Sequence, residues 1–216
     1  MDDAAKLVES VYNSYNPDEI SLSYNGGKDC TVLASLMDQV KRKLSITAPT
    51  KALYIQCASS FKEVDAFVDS SRSLFNLDIV TSHKSLKQAL SDFLEQDKRI
   101  KVILIGTRST DPNGKGLELM SYTDSDWPRI LRVHPILHTN YHQIWQYLLD
   151  NDIPYCSLYD EGYTSLGDTH NTHPNPHLLK SKSDNDDNKS NIKDKYLPAH
   201  ALNDEAFERS GRFSTL

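Results

Sequence analysis

An α/β fold, a parallel sheet with helices on both faces, is the class this sequence predicts, and three observations predict it. An apolar alternating run (Ile20, Leu22, Tyr24) leads through Asn25-Gly26-Gly27 into an apolar helical stripe, Val32, Leu33, Leu36, Met37 and Val40. Strand-like and helix-like segments then alternate along the chain. The run Val102-Ile103-Leu104-Ile105 closes at Gly106, as a buried strand does.

After the first strand and helix, Lys51 to Cys57 reads as a second strand, and Lys62 to Phe75 places Val64, Phe67, Val68, Leu74 and Phe75 at helical spacing. A short strand near Asp78 to Thr81 and a helix across Ser85 to Gln96 precede the strand that closes at Gly106. In such a Rossmann-like sheet ligands sit at the carboxyl ends of the strands, so the loops carrying Asn25, Ser59 and Arg108 should share one edge. Tyr141, Ile144, Trp145, Leu148 and Leu149 mark one more amphipathic helix, ended near Asn151 and Pro154. Beyond it periodicity fades. The predicted division is an α/β domain over 1–154 and an irregular C-terminal segment over 155–216. That segment holds a solvated, mobile insertion at 180–195, where Lys and Asp dominate and Ile192 is the sole aliphatic residue.

Composition narrows the function classes. A chain of 216 residues suffices for one substantial core. Its net charge of −6 argues against a general nucleic-acid surface, so an anionic ligand must be met by local cations in a pocket. No apolar run approaches the roughly 20 residues of a membrane span, and Met1 to Glu9 is too acidic for a secretory signal. Three cysteines without CxxC spacing read as free thiols, and a soluble, cytoplasmic monomer is expected.

The octet Ser23 to Cys30, SYNGGKDC, carries the chemistry. Paired glycines let the backbone approach an anion, and the following helix start aims unpaired N–H groups at it. Lys28 adds a mobile cation and Asp29 a carboxylate. An ordinary strand-to-helix turn also uses Asn and Gly, but the octet in its strand and helix context favours phosphate binding. It lacks the four-residue glycine spacing and the Lys-Ser/Thr pair of a Walker loop. A second constellation follows the fourth strand: GTRSTDP (106–112), then Asp124, Trp127 and Arg132 in TDSDWPRILRVHPIL (123–137).

With YCSLYDEGYTSLGDTHNTHPNP (155–176) and the weaker LPAHALNDEAFERSGR (197–212), these blocks resemble the eukaryotic type of FAD synthase. That family consists of FMN adenylyltransferases of the phosphoadenylyl-sulfate reductase-like, pyrophosphate-loop ATPase group. The octet is similar to the group's SGGxDS loop, with Asn25 in place of the first Ser. The resemblance implies an adenine nucleotide alpha hydrolase-like nucleotide-binding domain and a C-terminal segment that helps enclose the flavin. It implies ATP and FMN as substrates, FAD as product and Mg²⁺ as cofactor. Tyr24, Asn25, Gly26, Gly27, Lys28, Gln56, Phe61 and Arg108 would contact ATP, and Asn25, Lys28, Asp29, Arg108 and Asp111 would serve catalysis. Asn25 and Asp111 would face the metal, and Asp124, Trp127, Arg132, Arg209 and Arg212 the flavin. The chain departs from the family at Thr139, where a Trp is usual, and in a shorter stretch before the loop.

Two enzymatic rivals fit less well. A sulfonucleotide reductase needs a late catalytic Cys, and nothing follows Cys156; a tRNA-modifying adenylating enzyme would want a basic surface and paired cysteines. A flavin- or nucleotide-binding module without turnover is the non-catalytic alternative. His170, His173 and His177 have the spacing of zinc ligands on a helix, but Pro174 and Pro176 break a helix there, and loop histidines are expected instead.

Overall fold

The computed structural model describes residues 1–180 and 195–213. Its six-stranded sheet has the order β3-β2-β1-β4-β6-β5, formed by β1 (Ile20–Ser23), β2 (Thr50–Ile55), β3 (Leu77–Ser82), β4 (Val102–Ile105), β5 (Met120–Tyr122) and β6 (Leu131–Val133). The pairings are parallel except that of β5 with β6. Five α-helices lie among the described residues: α1 (Asp2–Ser14), α2 (Lys28–Lys43), α3 (Lys62–Leu74), α4 (Leu86–Gln96) and α5 (Tyr141–Asp150).

The alternation of side chains along each strand builds two cores. Leu22 of β1, Ala52 and Tyr54 of β2 and Leu104 of β4 face one way, onto apolar residues of α1, α2, α3 and α5. Leu53 of β2 and Ile103 of β4 face the other way, onto Ala89, Leu90 and Phe93 of α4. Helices on both faces are thus what the sequence predicted. The strands after β1 run outward through β2 to β3, whereas β4 lies on its opposite side. The strand order reverses at β1, and a crevice opens there beyond the carboxyl ends of β1 and β4.

Three elements were not predicted. Helix α1 buries Ala4, Val8, Val11 and Tyr12, one face of a helical period, with the other apolar residues of the larger core. Strands β5 and β6 are three residues each, too short to show a period. The C-terminal segment has few regular elements, yet Cys156, Leu158, Tyr159, Leu178, Ala199 and Leu202 join the same core as β1 and α2. Tyr141 of α5 donates its hydroxyl to the Ala199 carbonyl at 2.7 Å, and Trp145 meets Tyr155 and Tyr159 edge-on at 5.1 and 5.3 Å. The predicted insertion at 180–195 falls, apart from its two ends, outside the described residues. Among the described residues no helix is long and apolar enough to cross a membrane.

Candidate active site

The crevice at the strand reversal holds a cavity of about 400 Å³. Its floor is the octet loop, with Ser23, Asn25, Gly27, Lys28, Asp29 and Cys30 in the wall. Tyr54, Ile55, Cys57 and Ser60 close one side from the exit of β2, and Gly106, Thr107 and Asp111 another from the exit of β4. Ser165, Leu166, Gly167, Glu208 and Arg209 of the C-terminal segment complete it. The three loops predicted to share an edge therefore do.

The loop's shape follows from its residues. Gly26 has φ +72, and a Cβ there would stand 2.9 Å from Cγ2 of Val68 on α3. The Asn25 side chain folds back to accept the Gly27 N–H at 2.9 Å. Helix α2 begins at Lys28 without a side-chain cap; with the Gly27 and Lys28 N–H groups engaged, an anion would be met by the N–H groups that follow. The Tyr159 hydroxyl, wholly buried, accepts the Lys28 N–H at 2.8 Å and fixes the loop from the C-terminal segment. Burial, with Asp29 adding to it, pushes the Tyr159 phenol well above its ordinary range, so it stays protonated with its own O–H to donate.

The cavity wall carries a cluster of mostly buried charges, with Arg108 behind it. Arg108 is 1% exposed; its Nε stands 2.8 Å from Asp29 Oδ1, and its Nη2 donates to both Glu208 oxygens at 2.6 and 2.7 Å. Lys28 Nζ, 2% exposed, donates to Glu208 Oε1 at 2.5 Å and to Asp29 Oδ2 at 3.1 Å, and lies 5.2 Å from the Tyr141 ring centroid. Burial alone would lower the Arg108 pKa, but Asp29 and Glu208 reverse the sign and raise it. Lys28 is thus not the mobile cation expected from the sequence: its ammonium is held by Asp29 and Glu208, because the first helical turn aims it inward.

Asp111 accepts the Arg108 backbone N–H at 2.8 Å. Burial raises its carboxyl pKa; the Arg108 hydrogen bond offsets part of this, and Asp29 pushes it up again. A raised pKa means the folded chain holds this proton more tightly than the unfolded one. Ionisation therefore costs stability as pH rises from the ordinary value of 3.8 through the folded pKa. We expect Asp111→Asn, which keeps an acceptor for Arg108, to unfold at higher urea concentration than the parent at pH 7.5. That advantage should shrink toward pH 4, and a variant less stable at pH 7.5 would contradict the assignment.

Other predicted site residues fall into three groups. Arg209 lines the cavity, 3.4 Å from the Ser165 hydroxyl. Arg212 turns behind it, donating to the Leu166 carbonyl at 2.8 Å. Tyr24, predicted at the nucleotide, is a core residue whose hydroxyl meets Ser71 of α3 at 2.7 Å, so its side chain faces away from the cavity. Gln56 and Phe61 flank the wall without lining it; Phe61 packs edge-on against Tyr163 at 5.6 Å. Asp124, Trp127 and Arg132 stand together on the β5–β6 hairpin at the sheet edge, outside the cavity lining. Asp124 is exposed there, and Trp127 packs on the α4-side core with Lys87 Nζ 5.8 Å from its ring. Arg132 donates to the Tyr122 carbonyl at 3.0 Å. The histidines do not converge: His177 stacks on Phe207 at 3.9 Å and His173 meets Phe213 edge-on at 5.1 Å. Tyr159 and Glu208 were missed, although both lie in the sequence blocks singled out above.

The phosphoadenosine phosphosulfate reductase domain model matches residues 19–99 and 83–174. A probable FAD synthase of Schizosaccharomyces pombe is 37% identical over 98% of this chain and 78% of its own length. The chain belongs to the FAD synthase family. Within that family, a probable FAD synthase of Caenorhabditis briggsae is 39% identical over 98% of the chain, which spans only 40% of that longer protein. Candida glabrata FMN adenylyltransferase, solved in complex with FMN and the ATP analogue AMPCPP, superimposes with a TM-score of 0.85 at 32% identity, covering 97% of this chain and 88% of the other. The same enzyme has been solved with FAD and inorganic pyrophosphate.

Proposed function

We propose that this chain is an FMN adenylyltransferase, transferring the adenylyl group of ATP to the 5′-phosphate of FMN to give FAD and pyrophosphate. One observation carries the reading. A single cavity joins a pyrophosphate-type loop and an uncapped helix N-terminus to Arg209 of the C-terminal segment, so one phosphate chain can be met from two sides. A C. glabrata family member solved with FMN and an ATP analogue supports it.

The reaction is an in-line displacement. An FMN phosphate oxygen forms a bond to the α-phosphorus while the bond from that phosphorus to the β-bridging oxygen breaks, and pyrophosphate leaves with the electron pair. A phosphate monoester with a second pKa of about 6 is already ionised at neutral pH, so no general base is required. Positioning and charge neutralisation supply the catalysis. The backbone N–H groups at the start of α2 and the Tyr159 hydroxyl would hold ATP phosphate oxygens, and Arg209 would meet the FMN phosphate. Adenine would lie along the β2 exit, between Tyr54 and Ser60. Asp124, Trp127 and Arg132, with Arg212, would take the flavin side.

Among the described residues no three acidic, His or Cys side chains are grouped to hold a metal by themselves, and Asp29 and Glu208 are committed to Lys28 and Arg108. A magnesium ion would instead draw on oxygen donors of the cavity wall. Asn25 and Asp111 would hold the ion, whose chemistry is to neutralise the phosphate oxygens. We read the protein as a cytoplasmic monomer acting on small molecules, in keeping with free Cys30, Cys57 and Cys156.

Two experiments bear on this reading. With α-³²P-labelled ATP and Mg²⁺, label should move into FAD when FMN is present and not when riboflavin replaces it. Label remaining in ATP under saturating FMN would contradict the assignment. Separately, burial pushes the Cys30 and Cys156 thiols up to about 12 and about 11, whereas Cys57 is exposed in the cavity wall. Iodoacetamide at pH 8 should modify Cys57 alone, and ATP should slow that reaction several-fold; labelling indifferent to ATP would move the adenine site elsewhere.

A further inference from the structure

The cluster beneath the loop ties two distant parts of the chain together. Glu208 is separated from Lys28 by 180 residues and from Arg108 by 100, yet it binds both. Its side chain is 10% exposed, and the cations it meets are 2% and 1% exposed. The backbone of the same turn is fastened as well. Thr164 Oγ1 donates to the Glu208 carbonyl at 2.6 Å, and Asn175 Nδ2 donates to the Phe207 carbonyl and to Thr164 Oγ1, both at 2.8 Å. Both Glu208 and the next residue, Arg209, line the cavity, but Glu208 is buried with its carboxylate in the charge cluster, whereas Arg209 is exposed.

We propose that Glu208 is a positioning residue that sets Arg209 against the phosphate loop, with the Lys28 and Arg108 side chains as its buried anchors rather than ligands of the nucleotide phosphates. The assignment rests on the adenylyl-transfer reading. Two buried cations on one carboxylate fix the separation between the N-terminus of α2 and the C-terminal turn. One partner cannot be removed without leaving the others uncompensated. The phosphates are then left to the loop N–H groups, which these side chains support from below.

A double-mutant cycle on the full chain tests it, using Lys28→Met, Glu208→Gln and the pair together, with AMPCPP and Mg²⁺ as the binding probe. Each single variant should lose about 100-fold in kcat/KM for FMN, the size seen when one preorganised contact is lost. The pair should fall no more than about threefold below the worse single, because coupled partners are non-additive. AMPCPP affinity should stay within about threefold of the parent throughout, a split that general misfolding would not give. A 30-fold or greater loss of AMPCPP affinity in Lys28→Met, or multiplying losses in the pair, would overturn the proposal, roughly 30-fold being about 2 kcal/mol of direct contact. Should a single variant fail to fold, the pair, which removes one charge of each sign, decides through the same AMPCPP measurement. A parent chain that binds AMPCPP but makes no FAD would count against the adenylyl-transfer reading, while the binding data would still judge the role of Lys28.

Discussion

Replacing Arg108 by methionine should abolish adenylyl transfer and lower unfolding stability by about 3–5 kcal/mol, the cost of breaking a buried ion network from one side. The guanidinium is 1% exposed and stands against Asp29 at 2.8 Å and both oxygens of Glu208 at 2.6 and 2.7 Å. Without it, Lys28 alone would face Asp29, Asp111 and Glu208. Those carboxylates would repel or take up protons, and the C-terminal turn would lose one of its two anchors. Lysine should not rescue the site, since an ammonium cannot reproduce the fixed fork that sets Nε against Asp29 and Nη2 against both Glu208 oxygens. Urea titration of the parent and Arg108→Met chains reads the stability term directly. A loss below about 1 kcal/mol would mean that the pair is no stronger than a surface salt bridge.

Gly26→Ala is the second large effect. The residue sits at φ +72, and an added Cβ would lie 2.9 Å from Val68 Cγ2. Backbone strain of this kind costs about 1–3 kcal/mol. Relief of the contact would lift the loop off α3 and misdirect the N–H groups that follow. Turnover should fall about 100-fold, since one misplaced donor is worth that much. Gly27→Ala is the comparison: its φ is −72, and its Cβ would meet the movable Asn25 side chain at 3.0 Å. It should be the milder change in both urea midpoint and rate. Equal losses from the two variants would show that space for the ligand, and not the left-handed turn, governs the loop.

The parts of the fold with a period were legible in the sequence. β1 through β4, α2 through α4 and the capped helix α5, where Asn140 accepts the Gln143 N–H at 2.8 Å, stand where apolar spacing placed them. Helix α1 carries the same signal in Ala4, Val8, Val11 and Tyr12, spaced along one helical face. The β5–β6 hairpin offered no such signal, because three-residue strands display no alternation.

For the site, local residues were readable and distant pairings were not. Asn25, Gly27 and Asp111 could be placed at one sheet edge from the strand–loop–helix order. Glu208 sits in a polar stretch that looks like surface, and only the fold reveals that its partners are 180 and 100 residues away. The same blindness made Lys28 look mobile and hid the turn of the Tyr24 side chain into the core. Side-chain direction at the entry to a helix depends on what packs beneath it, and that information is tertiary.

The most direct measurement is a coupled time course with the purified chain, FMN, ATP and MgCl₂, following flavin fluorescence and pyrophosphate together. FAD is self-quenched relative to FMN, so the account predicts quenching in one-to-one step with pyrophosphate release and loss of both signals in Arg209→Ala. Saturable FMN binding with neither quenching nor pyrophosphate would contradict it and leave a flavin-binding module without turnover.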